Sequence, residues 1–160
     1  MGLVEIDEIG HTIGLVRGSP HPFRLSVVNV AVVFLGGGVG TLLRAAFEDR
    51  FAPPLGQSWP WVTWLINVIG CMALGVITGV IATRPLPSYR HRVLYLCVTT
   101  GLLGGFTTYS TYVLEAVELG GGGLLLVALG YAASSIVVGI AGVAGGYLVG
   151  RRAVREVESS

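Results

Sequence analysis

Between Gly101 and Glu115 the chain reads G-L-L-G-G-F-T-T-Y-S-T-Y-V-L-E. Four of the five positions from Thr107 to Thr111 carry a Ser or Thr hydroxyl, three glycines stand just upstream, and apolar residues flank both sides. In hydrocarbon every backbone polar group needs an internal partner, so a membrane segment stays a continuous helix unless it lines a cavity or packs against protein. Gly104 and Gly105 weaken a helix entropically. Thr107, Thr108, Ser110 and Thr111 can bond neighbouring carbonyls and compete with the helical ladder. The stretch predicts a helix broken near mid-membrane, where freed carbonyls bind cations and freed N–H groups bind anions. The competing reading makes the glycines packing notches and has the hydroxyls bonding back onto their own helix.

The surrounding composition supplies the solvent. Of 160 residues, 52% are hydrophobic and 12% charged, with a mean hydropathy of +0.75, against about a quarter charged in a soluble domain. The charges fall in clumps, leaving uncharged runs at 25–43, 51–83, 93–114 and 119–150. A span needs about 20 apolar residues, so an all-α membrane protein of four transmembrane helices is expected, over about 25–46, 59–82, 93–117 and 124–149. Residues 1–24 read as an uncleaved, disordered polar tail, because a charged-then-apolar leader with a cleavage site is missing. Residues 25–150 form the membrane domain, and 151–160 a charged, solvated C-terminal tail. A net charge of +1 and the lack of a basic, aromatic-interleaved patch exclude nucleic acid as a partner. Cys71 and Cys97 fall inside spans as small apolar fillers, with no disulfide or metal spacing.

Several residues stand out along the spans. Span one holds G-G-G-V-G-T-L-L-R from Gly36 to Arg44, with Gly36 and Gly40 on a small-xxx-small face. Arg44 sits where it can snorkel to the interface or pair with Glu48 one turn on, a structural role. Trp59, Trp61 and Trp64 form an interfacial belt at the start of span two. Asn67 lies about two turns further in, where its amide either bonds across to another helix or offers N–H donors to an anion. Tyr131 and Ser135 share one face of span four. The arginines are lopsided: Arg17, Arg24, Arg84, Arg90, Arg92, Arg151, Arg152 and Arg155 fall to one side, Arg44 and Arg50 to the other. By the positive-inside rule the first side is cytoplasmic and the subunit inserts one way.

Taken together these residues resemble the Fluc-type fluoride channels, the CrcB family. The glycine–arginine pattern is matched by Gly36, Gly37, Gly40 and Arg44, and the span-two pattern by Thr63, Trp64, Ile66, Asn67 and Gly70. The span-three pattern is matched from Gly104 to Tyr112. The resemblance implies passive fluoride export across a bacterial plasma membrane through a multi-pass, non-enzymatic channel. It also implies an antiparallel dimer, formed with itself or with a paralogous subunit, and a structural sodium ion held by the carbonyls of Gly104 and Thr107 with their counterparts. Asn67 becomes the pore amide, Ser110 and Thr111 hydroxyl donors beside it, and Tyr131 and Ser135 a polar track whose next position, Gly139, lacks a hydroxyl. Two phenylalanines whose ring edges line the family's pore are Tyr109 and Tyr112 here, which keep the electropositive edge and add a donor.

The residue chemistry agrees with that picture. A small, strongly hydrated anion needs neutral donors that replace its water without trapping it, which Asn67 and the Ser and Thr hydroxyls supply. A small multidrug-type proton-coupled transporter is the rival from another class. It calls for a membrane-embedded carboxylate, whereas Glu115 reads as a helix-end or interface residue and no charge is expected deep in a span.

Overall fold

The computed structural model describes residues 27–56, 58–84, 86 and 88–159; the expected polar tail of residues 1–24 lies outside them. The described residues form helices and no strand. Helix α1 spans Val27–Phe51 and α2 Trp61–Thr83. Helix α3, Tyr89–Leu96, widens into a π-helical segment over Cys97–Leu103 and closes with a last α-helical turn, α4, over Gly104–Phe106. The chain then leaves the helix, restarts as α5 over Ser110–Gly121, and returns as α6 over Leu125–Ser159. Three of these, α1, α2 and α6, are long and apolar enough to cross a membrane.

Glycines decide how the helices pair. A methyl group on Gly36 or Gly40 of α1 would collide with the Cys97 or Leu102 carbonyl, and one on Gly105 with the carbonyl of Gly37. On the other side, Gly75 and Gly79 of α2 meet the carbonyls of Val143 and Tyr147, while Gly146 and Gly150 of α6 meet those of Met72 and Val76. In both sets residue numbers rise together, so α1 runs parallel to α3–α4, and α2 parallel to α6. Lipid tails are as apolar as leucine, so close backbone approach supplies the dispersion that association in a bilayer needs. The small-xxx-small face read at Gly36 and Gly40 is thus half of one such zipper, and the α2–α6 pair repeats the device.

The turn from α5 to α6 is equally local in origin. Gly123 adopts φ 85°, and the N–H of Leu124 reaches back to the Leu119 carbonyl at 2.9 Å while that of Gly123 reaches Gly120 at 3.2 Å. This is the Schellman arrangement that ends a helix at a left-handed glycine. It returns the chain alongside α5, and Leu119, Ala128 and Tyr131 form the buried core there.

Helix α6 continues as helix through the charged residues that follow Gly150. Its 35 residues measure roughly 52 Å at 1.5 Å per residue, well beyond a hydrocarbon core of about 30 Å. The final turns therefore stand out of the apolar layer, with the Arg151 guanidinium over the Tyr147 ring at 5.6 Å. The parallel pairing gathers the ends of α2 and α6 with the starts of α1 and α3. Arg84, Arg90, Arg92, Arg151, Arg152 and Arg155 accordingly share one end of the bundle, opposite Arg44 and Arg50.

Candidate functional site

The helix between Tyr89 and Gly121 breaks where its sequence is weakest. Thr107 turns extended at φ −74°, ψ 153°, although its N–H and its hydroxyl still reach the Leu103 carbonyl, each at 3.0 Å. In an unbroken helix the next N–H, that of Thr108, would bond the Gly104 carbonyl. Instead it donates to Asn67 Oδ1 at 2.9 Å, while Asn67 Nδ2 donates to the Thr108 carbonyl at 3.0 Å. The two bonds admit one orientation of the amide, since a flip would set donor against donor and acceptor against acceptor. One Nδ2 hydrogen remains to Asn67.

The carbonyls released on the upstream side are handled by α1 and by the break itself. Gly105, whose helical donor would have been the N–H of Tyr109, accepts from Arg44 Nε and from the Thr41 hydroxyl, both at 3.4 Å. Arg44 is held in turn by Glu48, at 3.0 and 3.3 Å. A cation at the carboxyl end of a half-helix is favourably placed against its dipole. Gly104 loses its ladder donor to Asn67, which leaves a carbonyl oxygen at the break, and a methyl group there would meet nothing within 4 Å. Downstream, the Thr108 hydroxyl accepts from the Thr111 N–H at 3.2 Å, giving a partner to one of the backbone donors that a helix start leaves open.

A cavity of about 480 Å³ opens beside the break. Asn67 from α2, Gly104, Thr107 and Tyr109 from the broken strand of helix, Tyr112 from α5 and Ser135 from α6 all face it. Gly70 makes room for the break, because a methyl group there would collide with Thr107 Cγ2. Four other sequence candidates stand elsewhere. Ser110 is exposed, its Oγ at 3.3 Å from the Thr108 hydroxyl. Thr111 Oγ1 accepts from that same hydroxyl at 3.1 Å. Arg44 serves the end of α4, and Tyr131 is 0% exposed behind the cavity wall.

Tyr131 leads to the residue that sequence reasoning set aside. Its hydroxyl donates to Glu115 Oε2 at 2.7 Å, and Thr63 Oγ1 donates to Glu115 Oε1 at 2.8 Å. Glu115 is 6% exposed, so a carboxyl group does lie deep in the bundle, correcting the expectation of a helix-end residue and of spans free of internal charge. The signal was an acid between Leu114 and Ala116, in a helix whose other acid, Glu118, stands near its end; Thr63 and Tyr131, its donors, lie 52 and 16 positions away.

The hydroxyls around the cavity point back at helices. Ser135 donates to the Tyr131 carbonyl at 2.7 Å and Thr99 to that of Tyr95 at 2.7 Å, as Thr107 does to Leu103. Turning one of them toward an ion exchanges a bond with a net value of about 0.5–1.5 kcal/mol, which hydroxyl rotation can supply. Beside them runs an aromatic column: Tyr109 to Tyr112 at 5.9 Å between centroids, Tyr112 to Tyr131 at 5.3 Å, and Tyr131 to Trp59 at 5.6 Å, the last edge-on at 83°. Among the described residues, no group of three or more His, Cys, Asp or Glu side chains could hold a metal ion.

Comparison with known proteins gives a consistent result. Residues 31–147 match the family described as CrcB-like protein, Camphor Resistance (CrcB). The chain is 42% identical over 125 residues to the fluoride-specific ion channel FluC 2 of Nocardia farcinica, covering 76% of this chain and 86% of that one. It is 45% identical over 119 residues to the fluoride-specific ion channel FluC of a Methylobacterium species, covering 74% and 92%. Its identity to the Chloroflexus aurantiacus FluC is 37% over 123 residues, covering 77% and 95%.

Proposed function

The chain belongs to the CrcB family and is a fluoride channel of the cell membrane rather than an enzyme, and from that premise we propose that fluoride crosses beside the helix break. The observation that carries this is the Asn67–Thr108 clasp, which holds the break open and leaves one amide hydrogen of Asn67 at the cavity. Fluoride would exchange its water for that hydrogen, for the hydroxyls of Thr107 and Ser135, and for the ring edges of Tyr109 and Tyr112. All are neutral groups, and neutral donors bind a small anion without trapping it. Ser110 and Thr111 would present their hydroxyls at the start of α5, at one mouth of this path, while Tyr131 would stand behind it. Export is then passive, down the gradient from a fluoride-loaded cytoplasm.

The remaining architecture follows the same reading. Helices α3, α4 and α5 together form the fourth crossing, interrupted in the hydrocarbon. A break whose Tyr109 is 79% exposed and whose Ser110 is exposed cannot face lipid, where each unsatisfied polar group costs several kcal/mol. A second subunit, inserted the opposite way, would cover it. The Gly104 and Thr107 carbonyls fit a hard cation, which takes oxygen ligands. One chain offers too few, so the two breaks would share a sodium ion, whose positive charge would hold the paired carbonyl ends together. The arginine-rich end lies in the cytoplasm by the positive-inside rule, and the inverted partner is either a paralogue with the opposite bias or a second copy whose pairing overrides it.

Efflux from liposomes containing the purified protein tests the reading. Fluoride should leave and chloride should be retained, and Asn67→Asp should abolish fluoride efflux in protein that still assembles. Equal fluoride and chloride efflux, or full efflux through a folded Asn67→Asp protein, overturns it.

A further inference from the structure

The two tyrosines on the cavity wall differ in what their hydroxyls do. Tyr112 donates its hydroxyl to the Ala132 carbonyl of α6 at 3.3 Å. Ala132 lies inside the continuous helix α6, so this carbonyl uses its second lone pair for the tyrosine. The adjacent residue, Tyr131, sends its own hydroxyl the other way, from α6 to Glu115 of α5 at 2.7 Å. Two crossed hydrogen bonds therefore tie α5 to α6, and the two rings that carry them touch at 5.3 Å between centroids. Tyr109 stands at the N-cap of α5, 79% exposed, and its ring contact is with Tyr112.

These ties lie where movement would matter most. Helix α5 follows a three-residue interruption, and its only covalent neighbours are that interruption and a glycine turn at residues 122–123. A half-helix joined through such segments can pivot, and its third residue, Tyr112, forms part of the cavity wall. A hydroxyl bonded to α6 withdraws its donor from the cavity and fixes the ring in one orientation.

We propose that Tyr112 is a positioning residue: its hydroxyl, bonded to the Ala132 carbonyl, clamps α5 against α6 and holds its own ring as a fixed wall of the pathway, while the Tyr109 hydroxyl has no hydrogen-bond partner among the described residues. The proposal deepens the pore reading and rests on it for its flux consequence, though the clamp itself is tested separately. Tyr112→Phe deletes one oxygen atom and keeps the ring.

The experiment compares wild type, Tyr112→Phe, Tyr109→Phe and Tyr131→Phe as purified protein, in thermal unfolding and in fluoride efflux at graded fluoride concentration. Tyr112→Phe and Tyr131→Phe should each lower the unfolding midpoint by roughly 2–4 °C, the shift expected when one such tie is lost from a chain of this size, and Tyr109→Phe should leave it in place. In efflux, Tyr112→Phe should reduce the limiting rate at least threefold with half-saturation within twofold of wild type. An unchanged midpoint for Tyr112→Phe overturns the clamp. A tenfold shift in half-saturation at an unchanged limiting rate also overturns it, because the hydroxyl would then be an ion ligand. Absence of fluoride efflux from the wild type defeats the pore reading instead, and the midpoints still decide the clamp.

Discussion

Replacing Asn67 by leucine should release the helix break, and the size of the effect can be worked from the two bonds that the amide makes. Asn67 satisfies both the N–H and the carbonyl of Thr108, at 2.9 and 3.0 Å, and Thr108 is 8% exposed. Leucine has about the same bulk and neither bond, so two backbone groups are left buried without partners at about 1–3 kcal/mol each. The expected destabilisation is roughly 2–6 kcal/mol, reduced to the extent that water enters the cavity and replaces the amide. Asn67→Asp separates the two parts of the clasp. One carboxylate oxygen still accepts from the Thr108 N–H, but the other faces the Thr108 carbonyl, acceptor against acceptor, and the change places a negative charge on the proposed fluoride path. Thermal unfolding and amide hydrogen exchange at Thr108 report the first effect, and fluoride efflux from liposomes the second. Leucine should lower the midpoint and expose the Thr108 amide to exchange, and aspartate should abolish efflux. A leucine variant with the wild-type midpoint and a protected Thr108 amide would refute the clasp as the cause of the break.

The other expectations concern the packing around that site and the orientation of the chain. Glu115→Gln turns one of the two accepting oxygens into a donor facing the Thr63 or Tyr131 hydroxyl, so about 1–3 kcal/mol of stability should be lost; an unchanged unfolding midpoint would show that the hydroxyls find other partners. Gly40→Val sets a branched side chain against the Leu102 carbonyl and the Phe106 N–H, and should prevent α1 from seating on α3–α4, read as aggregation or loss of the folded peak in size-exclusion chromatography. Gly121→Cys introduces a thiol where a Cβ meets nothing within 4 Å; labelling in cells from the outer face alone supports a single orientation. Equal labelling from both faces, in protein that is functional when expressed alone, defeats it and identifies a homodimer.

Much of this molecule was decided by local sequence acting against one solvent. Hydrocarbon tolerates neither charge nor unpaired backbone, so uncharged runs had to become helices, and the arginines at their ends could be sorted between the two ends of the bundle. The weakness at Gly104–Thr111 is also local, since glycine entropy and competing hydroxyls act within a few residues of themselves. Close approach through Gly36 and Gly40 was legible for the same reason, as a helix repeat places them on one face. The tertiary structure decided what those local choices were worth. Asn67 meets Thr108 across 41 residues, and that meeting determines which carbonyl, Gly104, loses its ladder donor and which, Gly105, is left to Arg44. Glu115 became an interior group because α2 and α6 each bring a hydroxyl to it, and no helix period of α5 could reveal donors carried on other helices. Hydrogen bonds are short-ranged and directional, so the function of a polar residue in lipid depends on what stands opposite, and that is a property of the folded chain.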